Sequence, residues 1–266
     1  MRTLSLLALL ALFFTTACGP TESTADDMGA EEEMTEEVPE ITLTPMPASP
    51  DYPDAAITSM TFTDGKFSFA IAGDSYKLGM QTSDAPSKMC ANSAQGQHIH
   101  LIVDDEPYAA KYEADFDYEI PDGEHYLLAF LSRSYHESIK HAGAATAVHA
   151  MISGNSMTET KPIDSPMLFY SRPKGTYVGD DAKNLMLDFY LVNATLGNDY
   201  KVKVEVDGEE VATVANWQPY FFQNMPMGEH KITLTLLDAQ GQPADVPLNP
   251  VSRMITLQAD PADQAG

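Results

Sequence analysis

Two stretches of this 266-residue chain repeat one another, and the repetition constrains the fold more than any other feature. Ile99-His-Leu-Ile-Val-Asp-Asp-Glu-Pro-Tyr108 aligns with Val202-Lys-Val-Glu-Val-Asp-Gly-Glu-Glu-Val211, at an offset of 103. Pro121-Asp-Gly-Glu-His-Tyr-Leu-Leu-Ala-Phe-Leu131 aligns with Pro226-Met-Gly-Glu-His-Lys-Ile-Thr-Leu-Thr-Leu236, at an offset of 105. The second offset also carries Tyr112 onto Trp217 and Phe116 onto Phe221. A shared Pro-x-Gly-Glu-His turn between matched apolar runs means two copies of one domain in tandem.

The texture of each copy is that of short strands. Phe67–Ala72, His98–Val103, His125–Leu131, Leu185–Val192, Tyr200–Val206, Lys231–Leu237 and Met254–Leu257 are apolar or alternating runs separated by turn residues, with little sustained helical period. The expectation is an all-β chain of two tandem Ig-like β-sandwich domains. Copy one spans 52–158, copy two spans 165–258, and residues 259–266 form a short disordered tail.

Differences between the copies point to where function lies. In copy two, Val202, Val204 and Val206 alternate with Lys201, Lys203 and Glu205, so one face is buried and the other is wet. Transferred to copy one, the pattern sends Ile99, Leu101 and Val103 inward and His98, His100 and Ile102 outward. On the neighbouring matched strand the outward set is Tyr126, Leu128 and Phe130, where copy two has Lys231, Thr233 and Thr235. An apolar and histidine-bearing face of that size needs a cover. Copy one also holds an insertion near 80–96, containing Met80, Lys88, Met89 and Cys90, and this loop is the expected cover. Six of the seven histidines fall between His98 and His149, all in copy one.

The N-terminus reads as a targeting segment. Arg2, the apolar run Leu4 to Phe14 and the small residues Thr15 to Ala17 make a signal peptide over 1–17, too short to span a bilayer. Because it ends at Cys18, it resembles a bacterial lipoprotein signal, and the resemblance implies lipidation at Cys18. The residue after the cysteine is Gly19 rather than the aspartate that resembles an inner-membrane retention signal, so an outer-membrane anchor is expected. Residues 18–51 then read as a disordered acidic tether, with nine carboxylates over 19–50, no Lys or Arg and few large apolar residues. Beyond it, residues 51–266 still carry 30 acidic against 14 basic side chains within a total net charge of -24, which excludes nucleic acid as a partner. With Cys18 acylated, Cys90 has no partner for an intrachain disulfide.

The histidines give the strongest chemical signal. His98 and His100 place two imidazoles on one face of a strand, roughly 7 Å apart along it, an arrangement that metal sites on sheets use. With Cys90 or Met89 from the insertion, and His136, they would make a soft site for copper or zinc. The alternative is that these histidines hydrogen-bond to a covering loop and fill space. His125 and His230 occupy equivalent turns and read as structural, and His149 reads as a packing residue. His136-Glu-Ser-Ile-Lys-His141 is one residue too long for the zinc-protease helix motif. The chain lacks a Gly-x-Ser-x-Gly elbow, a phosphate loop and a Cys-x-x-Cys pair, so a non-enzymatic protein is expected.

Four strings carry a further resemblance: Lys88-Met-Cys-Ala-Asn-Ser93, Gln97-His-Ile-His-Leu101, Phe130-Leu-Ser-Arg-Ser-Tyr-His-Glu-Ser138 and Phe169-Tyr-Ser-Arg-Pro-Lys-Gly175. Through them the chain resembles bacterial envelope lipoproteins commonly labelled phosphopeptide-binding proteins. That resemblance implies recognition of a phosphorylated or otherwise anionic peptide, for which Lys88, Arg133, Ser134, His136 and Tyr126 are the candidate contacts. Three functions therefore stand side by side: an anchored binding module for anionic peptides or proteins, a copper- or zinc-binding envelope protein, and a structural or assembly lipoprotein.

Overall fold

Four antiparallel-rich sheets pair off into two sandwiches in the computed structural model, which describes residues 39–262. Copy one stacks a three-stranded sheet, ordered Ala56–Thr63, Lys66–Ala72, Asp115–Asp117, on a five-stranded one. The latter runs Ala109–Lys111, His98–Val103, Gly123–Ser132, Ala145–Ser153, Ser156–Lys161. Copy two repeats the plan, with a five-stranded sheet ordered Gly175–Val178, Val251–Gln258, Gly228–Leu237, Lys201–Val206, Glu209–Val214. Its smaller sheet is four-stranded, in the order Thr42–Pro45, Tyr220–Gln223, Met186–Val192, Met167–Arg172. The chain is thus all-β, two tandem sandwiches, and both belong to one compact unit.

The repeat persists as register. His98 pairs with Ser132 in copy one and Lys201 with Leu237 in copy two, equivalent positions under the two sequence offsets. The shared turn is built atom for atom the same way. His125 Nδ1 lies 2.7 Å from an Asp104 carboxylate oxygen and its Nε2 2.9 Å from the Pro121 carbonyl; His230 makes the same contacts with Asp207 and Pro226 at the same distances. Each aspartate also accepts the backbone N–H of the next strand, from Tyr126 and Lys231 respectively. Gly123 and Gly228 sit at φ +141° and +133°, where a side chain would be strained, so the glycine of the motif is required by the backbone.

Strand faces sort as the alternation demands. Ile99, Leu101 and Val103 enter the copy-one core with Leu127, Ala129 and Leu131, while Val202, Val204 and Val206 enter the copy-two core with Ile232, Leu234 and Leu236. The outward face of copy one, however, is covered by copy two and not by the insertion. Ile102, Leu128 and Phe130, all fully buried, pack with Met167, Phe169 and Tyr190 of the four-stranded sheet, and the Phe130 and Tyr190 rings stack at 5.3 Å. Beside this apolar contact, Asp188 of copy two is wholly buried, accepting the Ser138 N–H at 3.0 Å and pairing with Lys140.

The insertion is held at the rim. It carries one helical turn, Ala85–Lys88, and exchanges hydrogen bonds with the loop after strand Gly123–Ser132: Thr82 N–H to Ser134 Oγ, Ser134 N–H to Thr82 Oγ1, and Ser93 N–H to the Ser134 carbonyl.

Part of the expected tether is folded. The signal peptide 1–17, Cys18 and residues up to 38 lie outside the described residues, as does 263–266. Residues 39–51 do not form a disordered link: Thr42–Pro45 is an edge strand of copy two, registered from Thr42 opposite Gln223 to Pro45 opposite Tyr220. Ile41 and Leu43 pack on the copy-two core, and Met46 joins Ala85, Cys90, Tyr135 and Met186 in a small cluster. The acidic stretch ends at Glu40, so composition averaged over 18–51 hid a short apolar strand at its end. Deleting 42–50 from the full chain is expected to lower stability by at least about 3 kcal/mol, because the buried Arg133 and Lys88 would lose their carbonyl partners in this segment along with the strand. Urea unfolding of the deletion variant beside the parent would measure the loss.

Candidate metal centre

Strand His98–Val103 sends His98 and His100 to the same face because residues two apart on a strand share a side. They emerge at the end of the face where docking of the two copies seals it, and neither is exposed to solvent. His136 arrives from the tight loop after Gly123–Ser132, which is closed by the Ser132–Ser138 bridge and by N–H to carbonyl bonds from Arg133 to Glu137 and from His136 to Arg133. Its backbone takes φ +68°, an uncommon value for a non-glycine residue, and this brings the ring back over the sheet.

Three ring nitrogens meet at one point. His98 Nε2 lies 2.9 Å from His100 Nε2 and 2.9 Å from His136 Nδ1, and the remaining edge, His100 Nε2 to His136 Nδ1, is 3.4 Å. The proton on His98 can be assigned by chemistry. Its Nδ1 lies 2.8 Å from the Gly96 carbonyl, which can only accept, so Nδ1 carries the hydrogen and Nε2 of the neutral ring presents a lone pair. If both partners aim hydrogens at that lone pair, the hydrogens also face each other. If only one does, two lone pairs oppose each other at 2.9 to 3.4 Å. Every assignment of neutral rings leaves at least one like-against-like contact, and a cation at the centre removes all of them. An ion at ordinary metal–imidazole distance would set the nitrogens roughly 3.3–3.6 Å apart, so the triangle needs to open by only a few tenths of an ångström.

Burial keeps the rings neutral. It lowers the His98 pKa from 6.5 to about 4, against an opposing pull from the Gly96 carbonyl, and it lowers His100 and His136 further. Arg172 adds to the depression at all three. Metal ligation needs deprotonated nitrogens, and these are available at neutral pH.

The surrounding shell comes largely from the other copy. His100 Nδ1 is 3.3 Å from Ser171 Oγ on strand Met167–Arg172, an outer partner of the kind that orients ligand imidazoles. Tyr108 stacks flat on His100 at 3.7 Å with its hydroxyl 3.3 Å from His136 Nδ1, and Tyr112 packs on His98 at 4.9 Å. Arg172 is buried and donates to the Tyr135 carbonyl at 3.0 Å and to the Tyr177 hydroxyl at 3.0 and 3.3 Å. Lys174 donates to the Tyr108 carbonyl at 2.5 Å and lies 3.9 Å above the Tyr108 ring.

Of the sequence candidates, His98, His100 and His136 are brought together, and no Cys, Asp or Glu joins them among the described residues. Cys90 and Met89 are not part of the cluster. Cys90 is buried with Met46, Ala85, Tyr135 and Met186, and burial raises its thiol to about 11, so it offers no thiolate at neutral pH. Met89 is 70% exposed, on the wall of a separate cleft of about 730 Å³ that also includes Asp180 and Asp181.

Nor do the anion candidates assemble. Lys88 spends its ammonium on the Pro47 and Ala48 carbonyls at 2.7 and 2.9 Å and on Asp84 at 3.3 Å. Arg133 donates to the Pro50 and Ser138 carbonyls and pairs with Glu137 at 3.3 Å. Ser134 is buried against Thr82, while Tyr126 stacks on His149 at 4.6 Å. Sequence reasoning missed Ser171, Arg172 and Lys174, although they lie in the distinctive string Phe169–Gly175. It also missed Tyr108, for which the repeat gave a clue: copy two has the aliphatic Val211 at that position.

No family model matches the chain, and neither does any curated protein. Among solved structures, the fibronectin(III)-like modules of Clostridium thermocellum CbhA match 35% of this chain and 99% of their own at 19% identity and a TM-score of 0.27. The central fibronectin-III array of RIM-binding protein matches 81% and 72% of the two chains at 9% identity and a TM-score of 0.27. SGBP-B of the Bacteroides ovatus mixed-linkage glucan utilization locus, solved with a mixed-linkage heptasaccharide, matches 81% of this chain and 47% of its own at 13% identity and a TM-score of 0.17. At these scores the architecture rests on the topology described above.

The depressed histidines set a direction for pH dependence. A ring that stays neutral in the folded state down to about pH 4, but takes a proton near 6.5 when unfolded, lends the fold stability that is lost as pH falls through that window. Metal-free protein is expected to lose up to roughly 1.4 kcal/mol per pH unit for each such histidine between pH 6.5 and 4. Urea midpoints at several pH values check this, with the His98→Gln/His100→Gln variant expected to show a shallower slope.

Proposed function

We propose that the protein is a non-enzymatic, lipid-anchored metal-binding protein of the bacterial cell envelope, holding one copper or zinc ion on His98, His100 and His136. The observation that carries this reading is the convergence of three neutral imidazole nitrogens within 2.9–3.4 Å, two of them on fully buried rings, which no arrangement of their own protons satisfies. The outward hydrogen bond of His98 to Gly96 and the contact of His100 with Ser171 are what ligand histidines need to hold orientation. The anchor follows from the lipoprotein-like signal ending at Cys18.

A structural role has one observation in its favour, since docking on copy two accounts for the apolar residues Ile102, Leu128 and Phe130. It leaves the three histidines unexplained. The phosphopeptide reading has less support, because the Lys88 ammonium and the terminal amino groups of Arg133 already serve backbone carbonyls and carboxylates.

Elemental analysis of the full-length chain after exposure to copper or zinc and removal of loose metal is expected to give one ion per chain, and none in His98→Ala/His100→Ala. Equal metal in both proteins would refute the site, provided the variant retains the parent's circular dichroism.

A further inference from the structure

The reading of His98, His100 and His136 as a metal site leaves open which ion it takes, and the charges around it bear on that choice. The three ligands are neutral and contribute no negative charge, and no carboxylate or thiolate joins them among the described residues. Two cations, Arg172 and Lys174, stand against the cluster's shell, while the buried Asp188 carboxylate is taken up by Lys140 and Ser138. Arg172 is buried, and its N–H groups go to the Tyr177 hydroxyl and to the Tyr135 and Ala91 carbonyls, so among the described residues it has no carboxylate partner. Tyr135 directly precedes His136. Lys174 approaches through Tyr108: its ammonium lies 3.9 Å from the centre of that ring, which stacks on His100 at 3.7 Å. It too has no carboxylate partner among the described residues.

We propose that this centre selects monovalent copper, binding Cu(I) in preference to Zn(II) and Cu(II), with Arg172 and Lys174 as the groups that set the preference. The proposal rests on the metal reading above and narrows it. Both cations repel any ion at the centre, and each additional unit of ion charge costs roughly tenfold or more in affinity at such separations in a poorly screened interior. A divalent ion bears this cost twice, with nothing in its ligand set to offset it. Coordination number points the same way. A three-histidine zinc site completes its coordination with a water, whereas the three nitrogens here converge beneath the rings of Tyr108 and Tyr112.

The test uses the full-length chain, stripped of metal and titrated without oxygen with Cu(I) against a Cu(I) chelator, then separately with Zn(II) and Cu(II) against chelators for those ions. The expected result is that Cu(I) binds more tightly than either divalent ion. Lys174→Met should reduce the Cu(I)-over-Zn(II) affinity ratio by roughly tenfold, while Lys174→Arg should keep it. Zn(II) or Cu(II) binding as tightly as Cu(I) would overturn the preference while leaving the metal site standing. A ratio unmoved in a folded Lys174→Met would overturn the role given to Lys174. A chain that takes up none of the three ions would overturn the metal reading itself.

Discussion

Docking of the copy-one sheet face on copy two is the contact that the rest of the molecule depends on. A strand alternates its side chains between faces, and in copy one both faces of His98–Val103 and Gly123–Ser132 are unsuited to water. The inner face finds its partner within its own sandwich, and the outer face does not. Phe130 against Tyr190, and Ile102 and Leu128 beside Phe169 and Met167, bury the apolar part of that face. The same closure removes His98 and His100 from solvent and keeps their rings neutral. Chemistry and packing at this surface are two results of one contact.

Much of this was legible in the chain because the repeat acts as an internal comparison. The alternation of Val202, Val204 and Val206 with charged residues gave the inward face of both copies, and the substitution of His98, His100 and Phe130 on the outward face marked the copy that had changed. The structural role of His125 could be read for the same reason, since His230 stands in the same turn of a copy without the other histidines. What the alignment could not give was contact between copies. Ser171 and His100 are 71 residues apart, and nothing local in either strand specifies that they meet.

The errors share a physical source. Lys88, Arg133 and Ser134 looked like a cluster of free donors because sequence shows which groups are present and not how they are already satisfied. Buried donors must find acceptors, and these found the backbone of residues 47–50 and the loop at Ser138 and Thr82. Reading residues 18–51 as one acidic segment concealed the partner that those donors needed. Cys90 illustrates a similar limit: a soft atom near histidines in sequence was taken into an apolar cluster, where its proton stays on.

The matched turns are local to each copy. His125 with Asp104 and His230 with Asp207 make the same two contacts at the same distances, so each sandwich completes this turn from its own residues. The histidine triad is different in kind. It draws His98, His100 and His136 from one copy and Ser171, Arg172 and Lys174 from the other, so neither sandwich alone presents both halves. The turn needs one sandwich to be complete, whereas the triad and its shell need two.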